Sequence, residues 1–323
     1  MGHGQYFRFN DPHHFQAAIP GADCQVFTRS KGKFDVELTR VDLDRLWMKR
    51  FRNGSYIMHA AIKPDRAPVF FLADARQAPV RHNGLELSPE EISVFCRGAD
   101  NHTWLEEGNS VATISLTLED LATAGRAITG RELTTPADSR TIRPAPALMA
   151  RLRSLHKAAC RLVKGEPQAL AHRATAVPLE QELERALVAC LSETPSRGSG
   201  SLAGCHFQII ARFEDFLAAR RCEPVYLGEI CAAVGVSERT LRTCCQEHLG
   251  MGPIHYLWLR RMHLARRALL DADAAARSVT EIATTFGFWE LGRFSVEYRR
   301  LFGELPSVTR KRSPGESSGA KVH

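Results

Sequence analysis

The sequence predicts an α+β chain of more than one domain. A mostly-β N-terminal domain, barrel or sandwich, ends in amphipathic helices, and an all-α C-terminal domain carries a repeated helix-turn-helix. Three observations predict this. At 323 residues the chain exceeds one ordinary compact core and suits two. From Gln25 to about Leu118, short β-branched and aromatic runs alternate with turn residues. After Pro146 the apolar period becomes helical, and a helix-turn-helix pattern appears twice beyond residue 230.

In FDVELTRV, Phe34, Val36, Leu38 and Val41 make one apolar side while Asp35, Glu37 and Thr39 point the other way, the alternation of a half-buried antiparallel strand. Turn signals at residues 30–33, Asn53-Gly54 and Asn83-Gly84 recur at hairpin spacings, so residues 20–120 are assigned to the β-rich part. A helix follows Pro146 with Leu148, Leu152, Leu155 and Ala159 in one stripe. A second follows Pro178 with Leu179, Leu183, Ala186, Leu187, Cys190 and Leu191. Two such stripes suit packing on the β-domain of the same chain, or a homodimer. Residues 193–204, rich in Ser, Gly and Pro, read as a flexible linker. The domains are therefore 1–192 and 205–312, with 313–323 a disordered tail.

The net charge of +7 and pI near 9.0 favour a polyanionic partner. Much of that charge falls late, at Arg260, Arg261, Arg266, Arg267, Arg299, Arg300, Arg310, Lys311 and Arg312. The nine cysteines are an odd, scattered set with no C-x-x-C, as expected of free thiols in a reducing cytoplasm. The N-terminus lacks the apolar core of a signal peptide, and no apolar run approaches the roughly 20 residues that span a bilayer. The histidines His13, His14, His59, His82 and His102 lack the paired spacing of a metal site, so neither metal nor cofactor is expected.

The repeat carries the functional reading. In ICAAVGVSERTLRTCCQEHLG, Leu227, Ile230, Cys231 and Val234 form the inner face of a short helix. Gly235 turns the chain, Val236 plugs the angle, and Ser237 caps a helix that buries Leu241, Cys245 and Leu249. In IATTFGFWELGRFSVEYRRLFG the same order recurs. Ser278 and Glu281 have capping-box spacing, and Ile282, Ala283 and Phe286 face inward. Gly287 turns, Phe288 plugs, and Phe294, Tyr298 and Leu301 are buried, with the turn one residue longer. Between the copies, PIHYLWLRRMHLARRALLDAD reads as one long helix starting at Pro253, with Leu257, Arg261, Leu264 and Ala268 on a common face. Such a strut holds two readers apart, and successive major grooves on one face of B-DNA lie about 34 Å apart.

On LGEICAAVGVSERTLRTCCQEHLG, YLWLRRMHLARRALL and VTEIATTFGFWELGRFSVEYRRLFGELP, residues 205–312 resemble the AraC/XylS family of transcription regulators. The resemblance implies a bipartite DNA-binding domain, sequence-specific binding to double-stranded promoter DNA and activation through RNA polymerase. It also implies a cupin-like β-barrel sensing domain, which would take a small-molecule effector that the sequence does not identify. Cys245 stands where the family usually has Phe, and Gly292 where Ser is common.

The expected DNA-binding residues are Ser237, Glu238, Arg239, Thr240, Arg242 and Thr243 in the first recognition helix, and Trp289, Glu290, Leu291, Arg293 and Val296 in the second. Arg239 and Arg293 lead as guanine readers. Trp289 suits a sugar or a thymine methyl, and equally an ordinary structural aromatic. Arg260, Arg261, Arg266 and Arg267 are candidates for phosphate, and Arg310 to Arg312 for a solubilising end. No activated nucleophile surrounds Cys24, Cys96 or Cys160, so a non-enzymatic regulator is expected. The alternatives are a DNA-binding module fused to an enzyme and an architectural DNA binder.

Overall fold

Strand and helix placement follow the two apolar periods. The computed structural model describes residues 2–19, 22–28, 34–62, 65–98, 100–192, 196–197, 201–220, 225–271 and 277–311. The turn expected at 30–33 and the tail 313–323 lie outside these.

The larger sheet contains β1 (His3–Phe9), β3 (Val36–Asp42), β4 (Trp47–Arg52), β6 (Arg66–Leu72), β9 (Ile92–Val94), β11 (Ser110–Thr117), β12 (Arg140–Ile142) and β13 (Ser196–Arg197), in the order β1-β3-β4-β11-β6-β9-β12-β13. The smaller contains β2 (Ala22–Thr28), β5 (Tyr56–Ile62), β7 (Val80–His82), β8 (Leu85–Leu87) and β10 (Asp100–Leu105), in the order β2-β5-β10-β7-β8. All pairings are antiparallel, as in β3 with β4, where Thr39 faces Arg50. Asn53-Gly54 and Asn83-Gly84 have positive φ at both residues, but only Asn83-Gly84 closes a hairpin, β7 with β8. Asn53-Gly54, expected as a hairpin turn, instead carries the chain from β4 of the larger sheet to β5 of the smaller.

Strand alternation sorts side chains into three cores. Val36, Leu38, Phe51, Phe70 and Val111 of the larger sheet meet Val26, Tyr56, Met58, Val80 and Leu105 of the smaller in one cluster between the sheets. Behind the larger sheet, Val41, Met48, Val69, Phe71 and Ile114 pack on α2 (Leu118–Thr129), α3 (Pro146–Gly165) and α4 (Arg173–Ser192). Val41, an odd step from Leu38, thus lies on the face opposite Phe34, Val36 and Leu38 rather than with them as expected. The stripes of α3 and α4 are thus used within the chain. In front of the smaller sheet, Phe27 and Ile57 enter the core of the C-terminal helices.

Three boundaries differ from the sequence reading. The β-rich part begins at His3, with β1 and the short helix α1 (Pro12–Ala17) preceding residue 20, because the HGQYFRF run pairs along all of β3. Helix α4 starts at Arg173, ahead of the expected start after Pro178, and holds that proline inside it at the cost of one intrahelical N–H bond. The 193–204 stretch expected to be a flexible linker contributes Ser196 and Arg197 to β13, paired with Ile142 and Thr141. Its end opens α5 (Ser201–Ala219), ahead of the expected start at 205. The C-terminal domain continues with α6 (Leu227–Val234), α7 (Glu238–Leu249), α8 (Pro253–Leu270), α9 (Val279–Thr285), α10 (Leu291–Phe302) and α11 (Pro306–Lys311).

Candidate nucleic-acid interface

Each half of the C-terminal domain is built as its sequence dictates. In the first, Ile230 and Val234 of α6 are buried and Gly235 takes φ +75, left-handed backbone that an L side chain resists. Val236 packs against the core, and the Ser237 hydroxyl accepts from Thr240 N at 3.2 Å to cap α7. Leu241, Cys244, Cys245 and Leu249 face inward, so the shorter Cys245 fills the expected aromatic place without leaving the core. Burial pushes the Cys244 thiol up to about 11 and raises Cys245 further, which keeps both protonated.

In the second, Ser278 Oγ accepts from Glu281 N and the Glu281 carboxylate from Ser278 N, a complete capping box. Phe288 packs against Phe294, and Phe294, Tyr298 and Leu301 are buried. From the turn glycine to the next helix, the second turn is one residue longer, as expected.

The expected contact residues are solvent-facing. Ser237, Glu238, Arg239, Arg242 and Thr243 are exposed along α7, with Thr240 half-buried beside the cap. Arg239 has no side-chain partner among the described residues, and its carbonyl accepts from the Thr243 hydroxyl at 3.0 Å. In the second half, Leu291, Arg293 and Val296 lie on α10, but Trp289 and Glu290 do not. Trp289 sits in the turn, 76% exposed, and Glu290 is the N-cap residue, because the longer turn delays the helix to Leu291. Gly292 lies in the first turn of α10 with open space where a Cβ would point.

Arg242 of α7 and Arg293 and Arg300 of α10 line one groove of about 880 Å3, floored by Pro253, Ile254, His255, Trp258 and Leu259 of α8. The strut therefore presents both second helices on the same side of the domain. Within the groove, Glu297 accepts from Arg293 Nε and from Trp258 Nε1, each at 2.9 Å. The sequence reading missed Glu297, Trp258 and His255, and counted Arg300 only among the late basic residues. The i+4 spacing of Glu297 from Arg293 was the available signal.

The strut arginines divide. Arg261 and Arg267 are half-buried and exposed, but Arg260 and Arg266 are buried and are not free to grip phosphate. Arg260 donates to Glu214 of α5 at 2.6 Å. Arg266 joins Glu304 and Tyr298 and, from the N-terminal domain, Asp11, the residue that caps α1. These ion pairs form because α8 is enclosed on most sides, and a buried guanidinium must find carboxylates. Burial works against the charge of Glu214, yet the approach of His102, whose Nε2 lies 3.9 Å from its Oε1, and the charge of Arg260 outweigh it and carry its pKa down to about 2.

The N-terminal domain reaches α7 as well. Arg81 Nη1 donates to the Gln246 and Glu247 carbonyls at the end of α7, 3.0 Å each. Gly250, φ +67, ends that helix so close to Trp104 that a Cβ would fall 2.1 Å from its ring. Thr28 N donates to His263 Nε2 of α8 at 3.1 Å.

Two short helix pairs on either side of a strut, with both outer helices on one groove, define a bipartite helix-turn-helix protein. Residues 230–312 match the family described as a helix-turn-helix domain. The chain is 43% identical over 93 residues to the probable thc operon regulatory protein of Rhodococcus erythropolis, covering 29% of this chain and 28% of that one. It is 34% identical over 148 residues to XylDLEGF operon transcriptional activator 3 of Pseudomonas putida, 44% of each chain. The matches thus span less than half of either relative. Among solved structures, the AraC-like transcriptional activator CuxR overlaps 81% of this chain and 94% of its own at TM-score 0.41 and 14% identity.

Proposed function

We propose that this chain is a sequence-specific DNA-binding transcription regulator that inserts α7 and α10 into successive major grooves of promoter DNA. The observation that carries the reading is the shared groove: Arg242, Arg293 and Arg300 converge on one side of α8 while the remaining expected contacts of both helices face solvent. One chain holds both readers, so site recognition does not require a dimer, and a homodimer would add a second pair of half-sites. The P. putida relatives named as operon activators support activation, with RNA polymerase as the partner at the promoter. No helix among the described residues is long and apolar enough to cross a membrane, which fits the cytoplasmic location such a role requires. The reading is of binding, not catalysis. Consistent with it, burial pushes the Cys160 thiol up to about 12, far from a nucleophile's range.

The effector site in this proposal is the cavity between the sheets, about 90 Å3, walled by Trp47, Phe51, Phe70 and Phe95 with Lys49 and Arg66 among them. Burial, with Arg40 nearby, brings Lys49 down to about 8. A compact flat molecule with an anionic group matches those walls.

Selection of bound sites from random duplexes tests the main reading. The expected result is a bipartite motif whose halves lie one helical turn apart. Binding indifferent to sequence at every salt concentration overturns it.

A further inference from the structure

A second cavity, about 290 Å3, lies between α3 and the outer face of the larger sheet, lined wholly by N-terminal residues. It belongs neither to the space between the sheets nor to the DNA-reading groove. Its walls carry five cations, Arg50 and Arg52 of β4 and Lys157, Arg161 and Lys164 of α3, against one carboxylate, Asp74.

The floor is fixed. The Arg50 side chain is only 9% exposed, its Nε donates to the Ser110 hydroxyl at 3.0 Å, and its Nη2 donates to both Asp74 oxygens at 3.1 and 2.9 Å. Above it, Lys164 and Arg52 share Glu37 at 2.7 and 3.9 Å. Lys157 and Arg161 have no carboxylate partner among the described residues.

The three α3 cations stand at i, i+4 and i+7, one helix face, where like charges repel. An open solvated face would dissipate that repulsion. Here the charges converge on a cleft floored by a buried guanidinium, and low-dielectric walls concentrate the field.

We propose that this cleft binds a compact phosphate-bearing anion, with Arg50 as the fixed floor and Lys157, Arg161 and Arg52 closing on the phosphoryl oxygens. Arginine forks match such oxygens two at a time, and several cations suit a multiply charged group better than a single carboxylate. A cavity of this volume does not admit a duplex.

Titration calorimetry of the full chain with inorganic pyrophosphate at low ionic strength tests this, with citrate as the polycarboxylate arm. The expected result is one saturable site per chain, pyrophosphate binding at least tenfold tighter than citrate, and at least a tenfold loss in both Arg161→Glu and Lys157→Glu. Both variants change exposed positions and should melt as the parent does, and Lys311→Glu should bind as the parent does. Weak, unsaturable binding, an adventitious ion only, overturns the proposal, as does binding that survives both reversals. Citrate binding as tightly as pyrophosphate overturns the phosphate assignment. Reversals that weaken DNA binding but not pyrophosphate binding make the face a DNA contact and overturn it too. None of these outcomes depends on whether α7 and α10 read DNA.

Discussion

Arg239 is the second residue of α7 and Arg293 the third of α10, and they are held differently. Arg239 projects alone, whereas the guanidinium of Arg293 is steadied through Nε by Glu297, which Trp258 pins from the strut. Its terminal nitrogens stay clear for a guanine edge. Arg239→Ala and Arg293→Ala should each relax selectivity at one base pair by about 1–3 kcal/mol with the melting temperature unchanged, read by sequencing selected sites. Glu297→Gln should blur the same base pair as Arg293→Ala but less severely, and a motif altered elsewhere would count against the pairing. Gly292 lies in open space, so Gly292→Ala should stabilise α10 by up to about 1 kcal/mol in a melt. A loss of DNA affinity alongside that gain would mark close approach of the duplex to this backbone. Arg239 was legible from its place after the Ser237 cap, and Glu297 from its spacing. Trp258 was not, because its partner lies 39 positions away on another helix.

At the scale of elements, the short helices depend on their ends. Helix α9 has seven residues, too few to persist on intrinsic propensity. Ser278→Ala removes the hydroxyl half of its capping box and should cost about 1 kcal/mol, seen in denaturant titration as an earlier midpoint with unchanged slope. The repeat, its caps and its inward residues could be read directly, since each is a local pattern of a few residues. The strut was read as a helix correctly and its faces incompletely. Tyr256, Leu259, Arg260, Met262, Ala265, Arg266 and Leu269 are buried in addition to Leu257, because α8 meets α7, α9, α11 and β2 around its circumference. A helix so enclosed does not announce from sequence which arginine will be inside.

Over the whole molecule, the two domains share buried charge and apolar surface through Asp11–Arg266, the Glu214 cluster and Phe27 against Tyr256. Asp11→Ala leaves Arg266 with fewer buried partners and should cost as much as about 3–5 kcal/mol, measured by thermal melting of the full chain. A fragment of residues 205–312 should still shift DNA in a gel, at lower stability than the same residues in the full chain. Acid should act in the same direction. Burial lowers His82, His156 and His263 to about 3 and His248 to about 4 from an ordinary 6.5. The stability these neutral rings contribute is complete above pH 6.5 and lost as pH falls toward 4, by about 1.4 kcal/mol per pH unit for each proton taken up. Glu214 adds loss between about 4.5 and 2. The melting temperature should therefore be level near neutrality and fall below pH 6.5, and a level profile down to pH 4 would contradict the buried neutral histidines. The sequence by itself determined the period of each segment, the paired helix-turn-helix units, their caps and the solvent-facing side of their second helices, because those properties depend on neighbours within a turn or a strand. Only the tertiary structure decided that Asp11, 255 positions from Arg266, turns a candidate phosphate contact into an internal ion pair. The burial that sets such a charge's role is produced by packing between elements far apart in the chain.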